Sequence, residues 1–389
     1  MLKENKEVSV HPEIKVLDSA MMERKVAVII GTRPGIVMFA PIIHELRRQK
    51  VPNFVIHTGQ HYSPNMDAQF FDDLNLPDPH YKIEGVAAKK THGAQTAAML
   101  EGIEGILLHE RPKMVLVGGD ANTNLAGAQA GRKLRLQVGH VEAGERSYDW
   151  RMPEEHNRRI IDHISDHLFV TGEKGKANLG REGVQGRIYV TGNPIVDASI
   201  QHLELAKRKS DALTHFQVSP KTYALLTTHR EENVDFPDLL MGILQGISLA
   251  STELSLPVLF LAHPRTLKRL REFDLWDWAH ALPGMRISEA VGYLDFLNLI
   301  ANARLVFTDS GGVQQEACIH QIPAVTVREN TEWTETLEIG ANRLAGTNPH
   351  RILASAIQAY NSNSNWPVPF GDGTGAVKIV SICRNILEE

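Results

Sequence analysis

The chain contains only two cysteines, Cys318 and Cys383, and they do not have the spacing of a metal site. Two isolated cysteines exclude a disulfide framework and fit a reducing compartment, so a cytoplasmic location is expected. No apolar run reaches the roughly 20 residues of a membrane-spanning helix, and no membrane partner is expected. The formal net charge of −5 provides no basic field, so nucleic-acid binding is not expected either.

The first 22 residues are polar and lack the apolar centre of a signal peptide. We expect them to form an extension before the first strand. The sequence also lacks HExxH and DxD signatures. We therefore expect neither a metal site nor a cofactor.

An order of strand, loop and helix begins at the apolar run Lys25–Ile30 and recurs along the chain. This order is typical of doubly wound parallel sheets. GNPIVDA (192–198) is the predicted hinge, and a second series follows, with Ala324–Val327 as its last strand. We predict an α/β fold of two Rossmann-like domains with a ligand cleft between them. The predicted bounds are 1–22 for the extension, 23–195 and 196–368 for the two domains, and 369–389 for a helix that returns to the first domain.

Polar residues are densest between Gln137 and Asp166, after a strand predicted at Leu134–Val138. Burying so many polar groups without partners would be costly, so this segment is not core. Asp120 and Glu142 follow adjacent predicted strands and should converge at one sheet edge. Crowded carboxylates raise one another's pKa, which makes one of them a usable acid or base. The alternative is a solvated loop and a salt-bridged helix face.

The segment MPEE is predicted to start a helix, because Pro153 suits the first turn and places Glu154 at the N-terminus. Arg158 lies four residues after Glu154 and is expected to pair with it or to orient it. The apolar residues beyond them are predicted to pack in the core, and they are Ile160, Ile161, Ile164 and Leu168.

The segment TDSGGVQQEA has the pattern of a strand, a glycine turn and a helix start. The turn at Ser310, Gly311 and Gly312 would let a phosphate approach backbone N–H groups at the positive end of the helix dipole. Glu316 lies one turn further on, where it can accept hydrogen bonds from ribose hydroxyls. An ordinary glycine-containing helix start is the alternative.

Cationic side chains occur at strand ends in both series: Arg33 in GTRPG and His229 with Arg230 in THREEN. Both kinds of side chain can donate to a diphosphate, and cations on both sides of a cleft suit an anionic ligand. The alternative is that these residues are surface ions.

A series of motifs resembles the non-hydrolysing UDP-N-acetylglucosamine 2-epimerases. The motifs are GTRPG, TGQH, GGDANTNLAG, GHVEAGERS, MPEEHNR, GNPIVD, THREEN, TDSGGVQQEA and the GDG of the tail, and they cover nearly the whole chain from Lys25 onward. The resemblance implies a glycosyltransferase-B fold, a homodimer and a UDP-sugar substrate. It also implies interconversion of UDP-N-acetylglucosamine and UDP-N-acetylmannosamine by elimination and re-addition of UDP.

Residue roles follow from the resemblance by motif. It implies that Asp120, Glu142 and Glu154 are acid/base carboxylates. It implies that the diphosphate is held by Arg33, His229, Ser310, Gly311 and Gly312, with His229 counted among the catalytic residues as well. Glu316 would bind the ribose and Phe296 would lie against the uracil, although a core position for Phe296 is the alternative. An allosteric site near Gln60 and His61 is also implied.

The sequence departs from the family pattern at several positions near the presumed sugar site. These are Gly35 and Met38 in place of Glu and Lys, Ala121 in place of Thr, Glu145 in place of Leu, and Trp333 in place of Arg. Met cannot supply the charge contact of a Lys. The alternatives are therefore a UDP-diacetamido-uronate 2-epimerase, a hydrolysing epimerase that releases UDP, and a catalytically silent UDP-sugar sensor. Glycosyl transfer is a further alternative, but transfer does not need a base at C2.

Overall fold

The computed structural model describes residues 17–60 and 70–389. Most of the predicted N-terminal extension and His61 therefore lie outside the described residues. The chain divides into two compact units. The first unit comprises the residues up to Ala198 together with Phe370–Glu389, and the second is Ser199–Pro369.

The described part of the first unit contains a seven-stranded parallel sheet of order β3-β2-β1-β4-β5-β6-β7. Its strands are β1 (Glu23–Ile30), β2 (Asn53–His57), β3 (Tyr81–Lys82), β4 (Pro112–Gly118), β5 (Gln137–Ala143), β6 (His167–Val170) and β7 (Arg187–Val190). Its helices include α1 (Arg33–Arg48), α2 (His92–Glu110), α3 (Asn122–Lys133), α4 (Pro153–Ile164) and α5 (Glu173–Glu182). Helix α6 (Pro194–Lys209) contains the boundary between the units.

The second unit contains a six-stranded parallel sheet of order β10-β9-β8-β11-β12-β13. Its strands are β8 (Ala224–Thr227), β9 (Val258–Ala262), β10 (Met285–Glu289), β11 (Leu305–Thr308), β12 (Ala324–Thr326) and β13 (Asn342–Leu344). Its helices include α7 (Ala212–His215), α8 (Glu231–Val234), α9 (Pro237–Leu254), α10 (Pro264–Glu272), α11 (Trp276–Ala281), α12 (Tyr293–Asn302), α13 (Gly311–Ile319), α14 (Thr334–Glu338) and α15 (Pro349–Tyr360).

Burial on both faces explains why the central strands read as continuous apolar runs. Val26–Ile30 of β1 and Val258–Ala262 of β9 are buried throughout. Parallel sheets are covered by helices on both sides, so their strands carry apolar side chains in both directions. The two parallel sheets confirm the predicted α/β class.

The tail helix, α16 (Gly375–Glu388), packs against α1 and β1 of the first unit. The buried carboxylate of Asp197 accepts hydrogen bonds from the backbone N–H groups of Gly375 and Ala376, each at 3.1 Å. A carboxylate at this position satisfies free N–H groups and complements the helix dipole. The tail is thus fixed at its first turn.

Several sequence predictions of local structure were wrong. The strand predicted at Leu134–Val138 begins only at Gln137 and extends to Ala143. Residues 194–198 of the predicted hinge are helical, and β13 follows the strand that was predicted to be last. Ile160 is 41% exposed and is not part of the core. In residues 17–60 and 70–389, no helix is long and apolar enough to cross a membrane.

Candidate active site

Two carboxylates extend from the C-terminal edge of the first sheet. Strands β4 and β5 pair in parallel as far as Gly118 and Val141, so Asp120 and Glu142 emerge side by side. The pairing of β5 with β6 shifts register between Val141 and Ala143, which leaves Glu142 as the extra residue of a bulge. Bulges redirect side chains and are common beside active sites.

The backbone at Glu142 has a φ of 67°. A non-glycine residue in this left-handed region costs on the order of 1 kcal/mol. The surrounding sheet maintains the conformation, and the side chain remains partly exposed. This backbone conformation therefore places the Glu142 carboxyl near the charged groups of Asp120, Glu145 and Arg158.

Burial raises the pKa of Glu142 well above its ordinary value, and the negative charges of Asp120 and Glu145 raise it further. The positive charge of Arg158 and a hydrogen bond with Asn193 act in the opposite direction. The carboxyl of Glu142 can therefore hold a proton at a pH where an ordinary glutamate has lost it. This is the property expected of a general acid/base.

Arg158 connects Asp120 to helix α4. Its guanidinium lies 2.6 Å from Asp120 Oδ2 and 3.1 Å from Glu155 Oε2, and its side chain is almost completely buried. Glu155 also accepts hydrogen bonds from the backbone N–H and the hydroxyl of Ser147. Glu154 lies in the first turn of α4 and is partly buried, and its pairing with Arg158 stays a prediction.

A buried ionic group fixes the backbone beneath the two carboxylates. Asp162 lies 2.7 Å from both His140 Nδ1 and Arg146 Nη2 and accepts a hydrogen bond from Gly144 N. Although burial opposes its ionisation, His140 and then Arg146 lower the pKa of Asp162. His140 Nε2 contacts the carbonyl of Gly119 at 3.0 Å, so the ring links this group to the residue before Asp120.

Met38 lies close to Glu142. A methyl group added at Gly119 would be 3.6 Å from Glu142 Oε2 and 3.7 Å from Met38 Cε. Met38 is 5% exposed. A residue that departs from the family pattern and the strongest acid/base candidate thus both lie beside Gly119.

The GTRPG turn at the start of α1 has a steric basis. A Cβ at Gly31 would lie 1.9 Å from Thr58 Oγ1 and 2.4 Å from Thr123 Oγ1, so only glycine fits. Thr32 caps α1 by accepting from Gly35 N, and Arg33 follows as the first helical residue with a partly exposed side chain. The helix starts at Arg33, because Pro34 suits its first turn.

Gln60 of the TGQH motif lies in a hydrogen-bond network with Thr123. Its carbonyl oxygen accepts from both the backbone N–H and the hydroxyl of Thr123, each at 2.8 Å. Gln60 therefore supports the start of α3 in the described structure.

In the second unit, Asp309 organises the backbone around His229. Asp309 is completely buried and accepts hydrogen bonds from Thr228 Oγ1, His229 N, Arg230 N and Asn233 Nδ2 at distances between 2.6 and 3.1 Å. His229 Nδ1 lies 3.2 Å from Asp309 Oδ1. Although burial opposes ionisation, the interaction with His229 and the other donors hold the pKa of Asp309 far below its ordinary value.

In the glycine turn after β11, Gly311 is crowded by neighbouring side chains and Gly312 is open to solvent. A Cβ at Gly311 would lie 2.3 Å from Glu332 Oε1 and 3.0 Å from Trp333 Nε1, whereas Gly312 is exposed. Ser310 is the N-cap of α13, and its side chain makes no capping hydrogen bond. The open backbone and the helix dipole form a turn suited to a phosphate.

A cavity of about 160 Å³ brings several predicted residues together at this edge of the second sheet. Its lining includes His229, Phe296, Ser310, Thr228 and Val313. An aromatic ring beside polar strand ends and a helix N-terminus has the chemistry of a nucleotide site. A larger cavity of about 520 Å³ lies in the first unit, at the edge of the sheet where the strands begin. None of the predicted site residues lines it.

Glu316 lies on α13 beyond the glycine turn and is 6% exposed. Burial raises the pKa of Glu316 to about 7, and a hydrogen bond with Tyr293 acts in the opposite direction. Across the described residues, no group of three or more His, Cys, Asp or Glu side chains is arranged to hold a metal ion.

Comparison with known proteins identifies the family. A family model described as UDP-N-acetylglucosamine 2-epimerase matches residues 44–384. The UDP-N-acetylglucosamine 2-epimerase of Methanocaldococcus jannaschii is 47% identical over 361 residues, which cover 92% of this chain and 98% of that protein. The chain belongs to the UDP-N-acetylglucosamine 2-epimerase family.

A solved structure of the same epimerase and one further relative describe the range of this family. A crystal structure of the Methanocaldococcus jannaschii epimerase in complex with UDP-N-acetylglucosamine and UDP matches with a TM-score of 0.86 and 47% identity, covering 92% of this chain and 99% of that one. The UDP-2,3-diacetamido-2,3-dideoxy-D-glucuronate 2-epimerase of Pseudomonas aeruginosa is 36% identical and covers 85% of this chain and 91% of that protein. The glycosyltransferase-B fold class is thereby confirmed.

Sequence reasoning overlooked three residues that contact the candidate site residues. Asp309 anchors the loop that carries His229, Tyr293 interacts with Glu316, and Asn193 with Glu142. Asp309 directly precedes the glycine turn that was identified, so its position was a usable signal. The sequence contains no comparable signal for Tyr293 or Asn193, because their contacts join segments that are far apart in the sequence.

Proposed function

We propose that this chain epimerises UDP-N-acetylglucosamine at C2 to give UDP-N-acetylmannosamine, by elimination and re-addition of UDP. The observation that carries the proposal is the placement of Asp120 and Glu142 side by side at one sheet edge, where burial and then the charge of Asp120 raise the pKa of Glu142. A C2 epimerase must remove a proton from one face of the sugar and return one to the other face. Two carboxyl groups that lie side by side and differ in their surroundings suit that task.

In the first step, a carboxylate takes the C2 proton while the bond between C1 and the diphosphate oxygen breaks. The electron pair of the C2–H bond forms the C1–C2 double bond, and UDP leaves with the electrons of the C1–O bond. In the second step, a carboxylic acid protonates C2 on the opposite face and UDP re-adds at C1. We assign the base role to Asp120, which is paired with Arg158, and the acid role to Glu142; the roles exchange in the reverse direction.

Glu154 is the third acid/base candidate. It lies in the first turn of α4. It would serve as an alternative base to Asp120, since Asp120 is already bound to Arg158. Substitution of each carboxylate by the matching amide separates these roles, because the base is required for C2 exchange in the forward direction.

The second unit would bind the nucleotide. His229, held beside Asp309, and the open turn at Ser310, Gly311 and Gly312 would donate hydrogen bonds to the diphosphate as negative charge develops on it. Phe296 would stack against the uracil in the cavity that it lines. The remaining contacts would come from Glu316 to the ribose and from Arg33 to the diphosphate.

The reaction is tested by incubating the chain with UDP-N-acetylglucosamine and separating the products by anion-exchange chromatography. We expect UDP-N-acetylmannosamine to accumulate to a constant ratio with the substrate while free UDP stays at trace level. UDP released in proportion to free N-acetylmannosamine would instead identify a hydrolysing epimerase. Binding without any product would identify a sensor.

A second candidate substrate is a UDP-2,3-diacetamido-uronate. The 36% identity to an epimerase of that name supports it, together with Met38, Glu145 and Trp333, which depart from the family pattern near the presumed sugar. The two candidates are separated by kcat/KM for each UDP sugar under identical conditions. We expect the higher value for UDP-N-acetylglucosamine, and a reversed order would reassign the substrate.

We further propose that the protein acts as a cytoplasmic homodimer. Its two cysteines are free and buried, which suits a reducing compartment. The homodimer rests on the family resemblance. Light scattering coupled to size-exclusion chromatography measures it directly, and a mass near 43.3 kDa would show a monomer instead.

A further inference from the structure

His140 lies in β5 and is completely buried between two hydrogen-bond partners. Its Nδ1 is 2.7 Å from Asp162 Oδ1, and its Nε2 is 3.0 Å from the carbonyl oxygen of Gly119. A peptide carbonyl can only accept a hydrogen bond, so Nε2 must carry a proton. The contact with Asp162 requires a second proton between the ring and the carboxyl. The pair of His140 and Asp162 therefore holds two protons.

The other oxygen of Asp162 shows where the second proton lies. Oδ2 is 2.7 Å from Arg146 Nη2 and accepts a hydrogen bond from Gly144 N at 3.1 Å. Donors of this kind stabilise the carboxylate rather than the acid. Although burial opposes ionisation, His140 and Arg146 lower the pKa of Asp162. The second proton therefore belongs to the ring, and His140 is an imidazolium ion.

His167 is a second buried histidine of the same sheet and has different partners. Its Nε2 is 3.0 Å from Gln137 Oε1, and its Nδ1 is 3.3 Å from the hydroxyl of Tyr189. A hydroxyl can donate as well as accept, so a neutral ring satisfies both contacts. Burial also lowers the pKa of His167. The two buried histidines therefore differ in the charge that their partners require.

The carbonyl that His140 binds belongs to the peptide bond between Gly119 and Asp120. Gly119 has a φ of 80°, and its N–H donates to the carbonyl of Val141 at 3.0 Å. A hydrogen bond from a charged donor is about twice as strong as one between neutral groups. The backbone before Asp120 is thus held by His140, while the Asp120 carboxylate is held by Arg158 at 2.6 Å.

We propose that His140 is a charged positioning residue for proton transfer at C2, whose imidazolium fixes the peptide bond before Asp120 and thereby the place of the Asp120 carboxyl. This inference rests on the proposed function, which assigns the base role to Asp120. A neutral ring would turn a bare nitrogen toward either the Gly119 carbonyl or the Asp162 carboxylate, and the two lone pairs would repel each other. The charge therefore keeps both contacts intact.

Charged groups approach the ring from several elements. Asp162 is on α4, and Arg146, which follows β5, lies 2.7 Å from Glu182 at the end of α5 as well. The carboxyl groups of Asp120 and Glu142 lie at the edge of the sheet beyond Gly119. Substitution at His140 leaves all of these side chains in place, so a difference between variant and wild type reports on the ring.

The charge is tested by NMR of the full chain with nitrogen-15 histidine at pH 8. An ordinary histidine has a pKa near 6.5 and is neutral at this pH, with one bare ring nitrogen. We expect protons on both ring nitrogens of His140 and on one ring nitrogen of His167. Gly139 and His140 form the only Gly-His pair of the sequence, so combined labelling of glycine and histidine assigns the signals of His140 without a variant.

Activity gives a second readout that distinguishes the two contacts of the ring. In His140→Asn the amide nitrogen takes the place of Nδ1, so the donor to Gly119 is lost. We expect kcat for UDP-N-acetylglucosamine to fall about 10²-fold, as for a reacting group displaced by roughly 1 Å. In His140→Gln the amide nitrogen takes the place of Nε2 and remains a neutral donor to Gly119, so the fall should be about tenfold.

KM should change less than about twofold in both variants, because none of the proposed nucleotide contacts involves His140. Each variant is compared with the wild type on its own, so if one fails to fold, the other still decides.

His167→Asn and His167→Gln are the matched controls. They make the same chemical changes at a buried histidine of the same sheet. Urea unfolding should show a loss of stability in these variants as in those at His140. Their kcat and KM should equal the wild-type values.

The outcomes separate the two proposals. If the wild type epimerises no UDP sugar, the proposed function fails and the positioning role fails with it, whatever the charge of the ring. If the wild type is active but the His140 ring has a bare nitrogen, the inference alone is overturned. A kcat within twofold of the wild type in either His140 variant would also overturn it. So would an equal loss of kcat at His140 and His167, because the effect would then be general loosening of the first unit.

Discussion

The two units treat a carboxylate at the C-terminal edge of a parallel sheet in opposite ways. In the first unit, Glu142 sits on a strained bulge among other acidic groups, and its pKa is raised. In the second, Asp309 receives hydrogen bonds from backbone and side-chain donors, and its pKa is lowered. Burial acts upward on both, so the surrounding charges and donors decide the direction.

This difference in pKa indicates that the two carboxyl groups have different roles. A carboxyl that holds its proton is available for proton transfer, as proposed for Glu142. A carboxylate that is saturated with donors transfers nothing and instead fixes the loop that carries His229. Two sheets of the same parallel topology thus place carboxyl groups with different proposed roles at their C-terminal edges: proton transfer for Glu142 and support of a loop for Asp309.

The largest expected effect follows removal of the titrating group. Glu142→Gln preserves shape but cannot exchange a proton, so kcat should fall by about 10³-fold. Calorimetry with UDP should give an unchanged Kd, because Glu142 is assigned to proton transfer at C2 and to none of the proposed nucleotide contacts. Glu173→Gln changes an exposed glutamate of α5 and should leave both quantities unaltered. Activity retained within tenfold in Glu142→Gln would remove it from the acid/base pair.

Asp309→Asn tests the structural role of the second carboxylate. The amide loses charge-assisted acceptance from the donors around it, which should lower the free energy of unfolding by about 3 kcal/mol at pH 7. The folded pKa of Asp309 lies below the unfolded value, so its contribution is present above about pH 4 and is lost as pH falls further. Urea unfolding at pH 7 and at pH 3.5 should show the gap between variant and wild type shrinking.

The exposed Asp277→Asn of α11 is the control for that experiment, and its stability should match the wild type at both pH values. A pH-independent loss in Asp309→Asn would contradict the electrostatic account and indicate packing instead.

Met38→Lys tests whether nearby charge sets the pKa of Glu142. A cation near Glu142 Oε2 favours the carboxylate, so the alkaline limb of the kcat profile, where the acid Glu142 loses its proton, should move to lower pH. Met38→Leu conserves volume and should leave the limb unchanged. If both variants shift the limb equally, packing rather than charge controls this position.

Glu145→Gln should have a smaller effect in the same direction. Glu145 stands after burial and Asp120 among the causes that raise the pKa of Glu142. Its neutralisation should therefore lower this pKa and move the alkaline limb of the kcat profile to lower pH. Glu45→Gln is a suitable control, since Glu45 is a buried glutamate of the same unit that pairs with Arg48. A limb that stays in place would show that Glu145 has no electrostatic role.

The fold was predictable because its signals are local. Apolar runs such as Val258–Ala262 identify buried strands, and Pro153 marks the start of α4 at the predicted residue. The errors occurred where tertiary contacts decide. Gly139 and His140 resemble loop residues, yet they lie in β5 because Asp162 binds the His140 ring. The strand Asn342–Leu344 was missed because it is short and polar.

The site was predictable in its residue types but not in its geometry. The sequence indicated that Asp120 and Glu142 would follow adjacent strands; β4 and β5 are adjacent, but Glu142 lies within β5 and only Asp120 follows its strand. It did not indicate the bulge at Glu142 or the link from Arg158 to Asp120. Both depend on the alignment of chain segments that lie far apart in the sequence.

Solvent exchange at C2 tests the central claim most directly. The chain is incubated with UDP-N-acetylglucosamine in D2O, and both epimers are examined by proton NMR and mass spectrometry. The account predicts one deuterium at C2 of the N-acetylmannosamine product, gained as fast as epimerisation proceeds, and none in Glu142→Gln. Epimerisation without deuterium at C2, or no exchange with any UDP-2-acetamido sugar, would contradict it.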